Sequence, residues 1–268
     1  MYKKYKSLLN NLKDMRSVLV AFSGGVDSTF LLYSCLQSLS SENVLPITVK
    51  SQFIPEKEYN DAQSLAQKLG VHLKTIEIDV LSNSDVANNS AERCYFCKHT
   101  IFSLLKKEAE SRNIQHMLEG SNADDISDYR PGLKAIKELN FKSPLHDVGL
   151  TKKEIRLLSQ EFGLPTWQKP SLACLASRIP YGTEITSQKL TEVEKAEDIL
   201  FAYGISNPRV RHHDTIARIE IPPDEWNKIL DPSVRDNVIS ELQKIGFNYV
   251  TLDLSGYRQG SLNEVFKK

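Results

Sequence analysis

Cysteine is scarce in this chain, four in 268 residues, too few for a disulfide scaffold. Net charge is absent, with 34 basic against 34 acidic side chains. Neither side of residue 170 carries a large excess of one sign, so no polyanion-binding arm is present. No apolar run approaches the roughly 20 residues of a helical membrane span. The opening segment MYKKYKSLLNNLKDM lacks the apolar core of a secretion signal. There is no internal repeat and no low-complexity tract. These absences predict a cytoplasmic protein that binds neither nucleic acid nor membrane. Hydrophobic residues, at 40%, suffice for one large or two modest domains.

What is present is a regular alternation. Apolar spacing at Tyr5, Leu8, Leu9 and Leu12 predicts a helix over 3–14. Val18-Leu19-Val20-Ala21-Phe22 reads as a buried strand that stops at Ser23-Gly24-Gly25, with a helix over 27–39 behind it. Strands over 44–49, 71–79 and 114–119 alternate with helices over 55–69 and 95–111, and a further helix covers 152–162. Such βαβ units force a parallel sheet covered on both faces, so the fold class is α/β, a doubly wound parallel sheet. After 183 the order becomes helix (187–203), strands (209–213 and 216–221), helices (223–230 and 233–245) and a strand over 249–254. This predicts a smaller C-terminal α+β domain. The expected domains are 1–182 and 183–268.

Ser23-Gly24-Gly25-Val26-Asp27-Ser28 lies between a strand and a helix, where ligands of doubly wound folds collect. Two glycines let the backbone turn tightly, and the helix N-terminus behind them favours a phosphate. No lysine follows, so this is not a Walker A loop. Its plain alternative is a strand-to-helix turn with capping serines. The full string resembles the PP-loop of the adenylating ATP pyrophosphatase superfamily, whose members transfer AMP to the substrate. That resemblance implies an adenine nucleotide alpha hydrolase-like domain binding ATP and Mg²⁺. Ser23, Gly24, Gly25, Asp27 and Ser28 then form the pyrophosphate site, with Asp27 helping to hold Mg²⁺. Lys50 and Ser51 would meet the adenosine. Gly120-Ser121-Asn122-Ala123-Asp124-Asp125 is the second superfamily element; its acidic pair is either a solvated turn or includes a magnesium ligand, with Asp125 the preferred one.

Three further strings narrow the resemblance: Asp128-Tyr129-Arg130-Pro131-Gly132, the CLASRIPYG run from Cys174 to Gly182, and Arg209-Val210-Arg211 with IARIEIP. With the PP-loop they make the chain similar, from about residue 17 to about 260, to the LarE-type ATP-dependent sulfur transferases of nickel-pincer nucleotide biosynthesis. The resemblance implies adenylation of a carboxylate of pyridinium-3,5-dicarboxylate mononucleotide and displacement of AMP by sulfur. Sulfur attack on an acyl-adenylate is sound chemistry, because the thiolate is a strong nucleophile and AMP a good leaving group.

Cys174 has Arg178 four residues on, a cation able to favour its thiolate; its alternative is a buried core cysteine. In sacrificial members of the family the matching cysteine gives up its own sulfur. This chain also carries Cys94-Tyr95-Phe96-Cys97, and three thiolates can hold a [4Fe–4S] cluster with one iron open for sulfide. Sulfide or a sulfur-donor protein is then the implied partner. A zinc site completed by His99 or His116, a redox dithiol, or two incidental helix cysteines are the alternatives. Cys35, among leucines, reads as core.

Arg209 and Arg211 alternate along a strand and share a face. The resemblance makes them, with Arg178, binders of the substrate's anionic groups; exposed strand arginines are the plain alternative. It also implies a homo-oligomer, and Glu197, Glu220 and Asp231 as a candidate divalent-metal site at a subunit interface. Two rival functions share these motifs: a tRNA thiolase with the same loop and cluster, and a non-catalytic iron–sulfur or zinc nucleotide-binding protein.

Overall fold

The strand Val18–Ala21 (β1) is an apolar run of four residues, buried along all but its last. The computed structural model describes residues 1–127, 131–170, 173–258 and 260–262. In chain order the first elements are helix α1 (Tyr2–Lys13), β1, α2 (Val26–Ser38), β2 (Val44–Lys50), α3 (Glu56–Lys68) and β3 (Lys74–Glu77). A short helix α4 (Ser84–Ala87) follows, then α5 (Arg93–Ser111), β4 (His116–Leu118), α6 (Pro131–Glu138), α7 (Pro144–Asp147) and α8 (Lys152–Glu161).

The four strands run parallel in the order β3-β2-β1-β4. Strand order therefore reverses beside β1: the chain builds outward to β3 and returns to β1's other edge with β4. The C-terminal ends of β1 and β4 meet at this switch point, the position where open α/β sheets bind ligands. Alternation along β1 divides the core. Val18 and Val20 pack with Leu8, Leu12, Phe30, Leu31, Ile155 and Leu158 of α1, α2 and α8. Leu19 packs with Ile47, Leu105, Ala109 and Ile136 on the opposite face. Both faces are covered, as a parallel sheet requires.

The remaining elements are α9 (Ser187–Ala202), β5 (Arg209–His213), β6 (Ile216–Glu220), α10 (Trp226–Leu230), α11 (Pro232–Ile245) and β7 (Tyr249–Leu252). Strands β5 and β6 pair antiparallel, β6 and β7 parallel. Their inner face, Val210, Ala217 and Ile219, meets Ala196, Leu200, Val238 and Leu242 of α9 and α11.

The chain divides into two compact units, 1–80 with 92–172 and 81–91 with 173–268. The boundary expected at 182 thus lies ten residues earlier, at 172/173, and a short segment from mid-chain joins the second unit. The physical reason is local. The amide groups of Gly182 and Ile185 donate to the carbonyls of Asn89 and Ala87 at 3.0 and 2.8 Å, so 87–89 completes the backbone pairing of the loop after Cys174. Among the described residues no helix is long and apolar enough to cross a membrane.

Candidate active site

Beyond β1 the chain turns sharply. Gly24 has φ +69°, and a Cβ there would stand 2.9 Å from the Ala62 Cβ on α3, so only glycine fits. The Ser23 and Ser28 hydroxyls lie 3.0 Å apart, tying the two ends of the loop together. The second element is fitted against it: a Cβ on Gly120 would come within 3.0 Å of the Ser28 amide nitrogen. The two glycine-bearing motifs, nearly a hundred residues apart, therefore touch.

Asp27 stands in the first turn of α2. Its Oδ2 accepts a hydrogen bond from Lys152 Nζ at 2.5 Å, while Oδ1 is buried with no partner among the described residues. Burial pushes the Asp27 carboxyl above its usual range; Lys152 pulls it back, and the negative charge of Asp125 raises it again. Asp125 Oδ2 accepts from the Asn122 amide at 2.9 Å, and Asp124 Oδ2 from the amide of Lys152 at 2.8 Å. Two carboxylates that feel each other's charge, one with an orphaned oxygen, suit a divalent cation.

Lys169 adds a second cation to the loop. Its Nζ donates to the Gly24 carbonyl at 3.4 Å and pairs with Asp61 at 3.1 Å. Lys152 and Lys169 were not anticipated from sequence, since both lie more than a hundred residues beyond the loop. The available signal was the missing lysine of the loop itself: a phosphate cradle without its own cation must borrow one. Lys50, at the end of β2, pairs with Glu56 at 3.2 Å and lies 4.8 Å from the Tyr59 ring centroid. The Ser51 hydroxyl accepts from the Phe53 amide at 3.4 Å.

Cys94 and Cys97 lie three residues apart on α5, hence on one helix face, and both are half-buried. Gly132 on α6 is needed beside them: a Cβ would stand 2.6 Å from the Lys98 side chain and 3.3 Å from the Cys94 carbonyl. Asp128, Tyr129 and Arg130 lie outside the described residues. Cys35 is fully buried, as its leucine neighbours predict, and that burial drives its thiol pKa up. Cys174 is exposed and caps the short turn Leu175–Arg178. No disulfide joins any of the four cysteines. Among the described residues no three His, Cys, Asp or Glu side chains gather as a metal site.

The second unit holds a buried charge cluster. Arg178 Nε and Nη2 donate to the two oxygens of Glu197 at 2.8 and 2.9 Å. Its Nη1 reaches the carbonyls of Ala173 and Cys174 at 2.7 and 3.1 Å and the Ser177 hydroxyl at 2.9 Å. Arg211 donates to the Ser177 carbonyl at 2.8 Å and to Glu220 at 2.6 Å, and its buried Nε has no partner among the described residues. Arg209 is buried and lies 5.3 Å from the Tyr257 ring centroid; burial and the charge of Arg178 both disfavour its cationic form. Arg178, Arg209 and Arg211 thus share one buried neighbourhood, and Arg211 keeps an unspent donor. Glu197 and Glu220 are committed to these arginines, and Asp231 caps α11 through the Ser233 and Val234 amides. The three carboxylates expected to share a divalent ion are each engaged inside the chain.

A parallel sheet whose switch point carries this loop, an acidic pair and borrowed lysines defines a PP-loop nucleotide enzyme of the ATP pyrophosphatase class. Comparison agrees. Residues 3–115 match the NAD synthase family model, and an NH₃-dependent NAD⁺ synthetase of Hyperthermus butylicus is 42% identical over 64 residues, 24% of this chain and 23% of its own. Other relatives match over nearly the whole chain. An uncharacterised Synechocystis protein is 39% identical over 267 residues, 98% of this chain and 99% of its own. Pyridinium-3,5-bisthiocarboxylic acid mononucleotide synthase of Lactiplantibacillus plantarum is 38% identical over 265 residues, 99% of this chain and 95% of its own. The chain belongs to the family of that synthase, the LarE-type sulfur transferases.

Proposed function

We propose that this protein makes the thiocarboxylate of a pyridinium-3,5-dicarboxylate mononucleotide in two steps. A carboxylate oxygen of the substrate attacks the α-phosphorus of ATP, forming an acyl-adenylate and releasing pyrophosphate. A sulfur nucleophile then attacks the acyl carbon, and AMP leaves with the bonding electron pair. The observation that carries this reading is the match to the synthase over 99% of the chain, which takes in both units and every motif discussed.

The residues support the first step in kind. The 23–28 loop supplies backbone donors at a helix N-terminus for the pyrophosphate. Asp27, with its orphaned oxygen, and Asp125 fit Mg²⁺, which when bound neutralises charge on the phosphates. Lys152 and Lys169 supply the cationic groups the loop lacks, and Lys50 and Ser51 stand where β2 ends, for the adenosine. In the second unit Arg211, with Arg209, receives an anionic group of the substrate: three buried guanidiniums face two buried carboxylates there, and an anion restores the balance. Arg178 spends its donors on Glu197 and its own turn, so its role is to shape that turn.

For sulfur, Cys94 and Cys97 fit as two thiolate ligands on one helix face, and Cys174 as an exposed third. A [4Fe–4S] cluster held by these three supplies, when bound, an open iron for a sulfide that an external donor renews. The protein is assigned to the cytoplasm as a homo-oligomer.

The test is anaerobic incubation of the full chain with ATP, Mg²⁺, the dicarboxylate nucleotide and sulfide. AMP, pyrophosphate and thiocarboxylate are expected together, with no mass change at Cys174. ADP and phosphate in their place overturn the adenylation step. Product formed in step with loss of H₂S from Cys174 replaces the cluster by sacrificial donation.

A further inference from the structure

The segment 81–91 interrupts the strand–helix order of the first unit to join the second. At its end Asn89 is fully buried and sits at φ +54°, a left-handed conformation that asparagine tolerates better than most residues. Its side-chain nitrogen stands 2.8 Å from the Pro180 carbonyl, 2.9 Å from that of Thr183 and 3.3 Å from that of Ile179. Its own carbonyl accepts from the Gly182 amide at 3.0 Å. The Pro180 carbonyl also accepts from the Thr183 amide at 3.1 Å, and the contacts to Pro180 and Thr183 are half-buried. The two N–H groups of a neutral amide serve the converging carbonyls without introducing a charge.

Those three carbonyls come directly after the turn Leu175–Arg178, whose cap is Cys174. The beginning of the same turn is held by Arg178 Nη1 on the carbonyls of Ala173 and Cys174. Its middle is held by Arg211 on the Ser177 carbonyl. Its far end is fixed from outside the charge cluster, by Asn89.

We propose that Asn89 is a positioning residue for sulfur transfer: by anchoring the carbonyls of Ile179, Pro180 and Thr183 it holds the far end of the turn that presents Cys174. It acts on the turn and touches neither nucleotide nor substrate. The inference rests on the sulfur-transfer reading above, in which Cys174 is the thiolate concerned.

Two variants of the full chain separate the side chain from the backbone. Asn89→Gly keeps the left-handed conformation and removes the donor. Asn89→Asp keeps size and shape and sets a carboxylate against three carbonyls. Substrate-dependent pyrophosphate release at saturating ATP and substrate should persist in both, while thiocarboxylate formation falls about tenfold or more, the effect of a displaced reacting group. A second readout needs no substrate. Arg178 is buried, so trypsin cuts after it only when the turn opens; cleavage there should accelerate about tenfold in both variants. Cleavage after the exposed Arg112 and Arg235 should not change. If the wild type makes no thiocarboxylate, the sulfur-transfer reading fails and the cleavage rates alone decide on the anchor. Unchanged cleavage after Arg178 overturns the proposal. So does a parallel fall of adenylation and transfer with the folded fraction, or global unfolding of both variants, since Asn89 would then be general core support.

Discussion

Replacing Lys152 by methionine removes a cation while keeping most of the side chain's length, and its effect can be worked out beforehand. Lys152 Nζ stands 2.5 Å from Asp27 Oδ2, with side-chain exposures of 28% and 21%. At an effective dielectric constant near 20, unit charges about 4 Å apart interact by about 4 kcal/mol, and exposure of this degree calls for a discount. A charge-assisted hydrogen bond, from lysine to aspartate or to an incoming phosphate, has a net worth of about 1.5–3 kcal/mol. Loss of that contact in the transition state for pyrophosphate release lowers kcat/KM for ATP by about 10- to 150-fold. A second signature concerns acid. Burial already holds the Asp27 carboxyl above its ordinary range, and Lys152 is the largest influence opposing that shift. Without it the pKa rises further, so the acid limb of the rate profile moves to higher pH. Pyrophosphate release measured against ATP concentration and pH checks both. An unchanged kcat/KM for ATP would mean that Lys152 is only a structural partner of Asp27, and the borrowed-cation argument would fall.

Three further outcomes follow from other residues. Asp27→Asn should abolish adenylation yet raise the thermal midpoint of the nucleotide-free protein at neutral pH. The sign is fixed by linkage: a carboxyl whose folded pKa is raised binds its proton more tightly in the folded state, so stability is lost as pH climbs through that pKa. Glu154 behaves oppositely. Lys4 and the Thr151 capping box hold it down to about 2, so the stability it lends is present above the unfolded carboxylate pKa and is lost as pH falls towards about 2. The midpoint difference between wild type and Glu154→Gln should therefore shrink steadily in acid. Cys94→Ala and Cys97→Ala should each lose protein-bound iron and repeated turnover while retaining AMP formation, since two thiolates are too few to hold the cluster; iron retained in both variants would exclude it.

How much of this was readable depends on range. The 23–28 loop declares itself because an apolar strand ends in two glycines, a local event. Gly120 is readable for the same reason, although its contact with the Ser28 amide is not. Lys152 and Lys169 carry no local mark; they look like ordinary surface lysines until the sheet brings them to Asp27 and Gly24. Helix α6 goes unread in the sequence; it opens with proline and glycine. Proline is at home in the first turn, and Gly132 is there because α5 comes too close for a side chain. Arg209 and Arg211 were readable as a pair on one face, but not their burial, nor that Glu197 and Glu220 answer arginines. His212 gives no sign in sequence of being buried against Glu192 at 2.8 Å.

The excursion of 81–91 also bears on how such an enzyme can be taken apart. The path leaves the nucleotide-binding unit after β3, returns before α5, and leaves again at 173, so three covalent crossings join the two units. The smaller one is therefore not a detachable tail. A fragment beginning at 173 would lack Ala87 and Asn89, and with them the carbonyls that meet the Gly182 and Ile185 amides and the side-chain amide that meets the carbonyls of Ile179, Pro180 and Thr183. Grafting it onto another nucleotide-binding domain would require an internal insertion as well as a fusion at the end. A lineage built this way cannot exchange its smaller unit by simple end-to-end fusion.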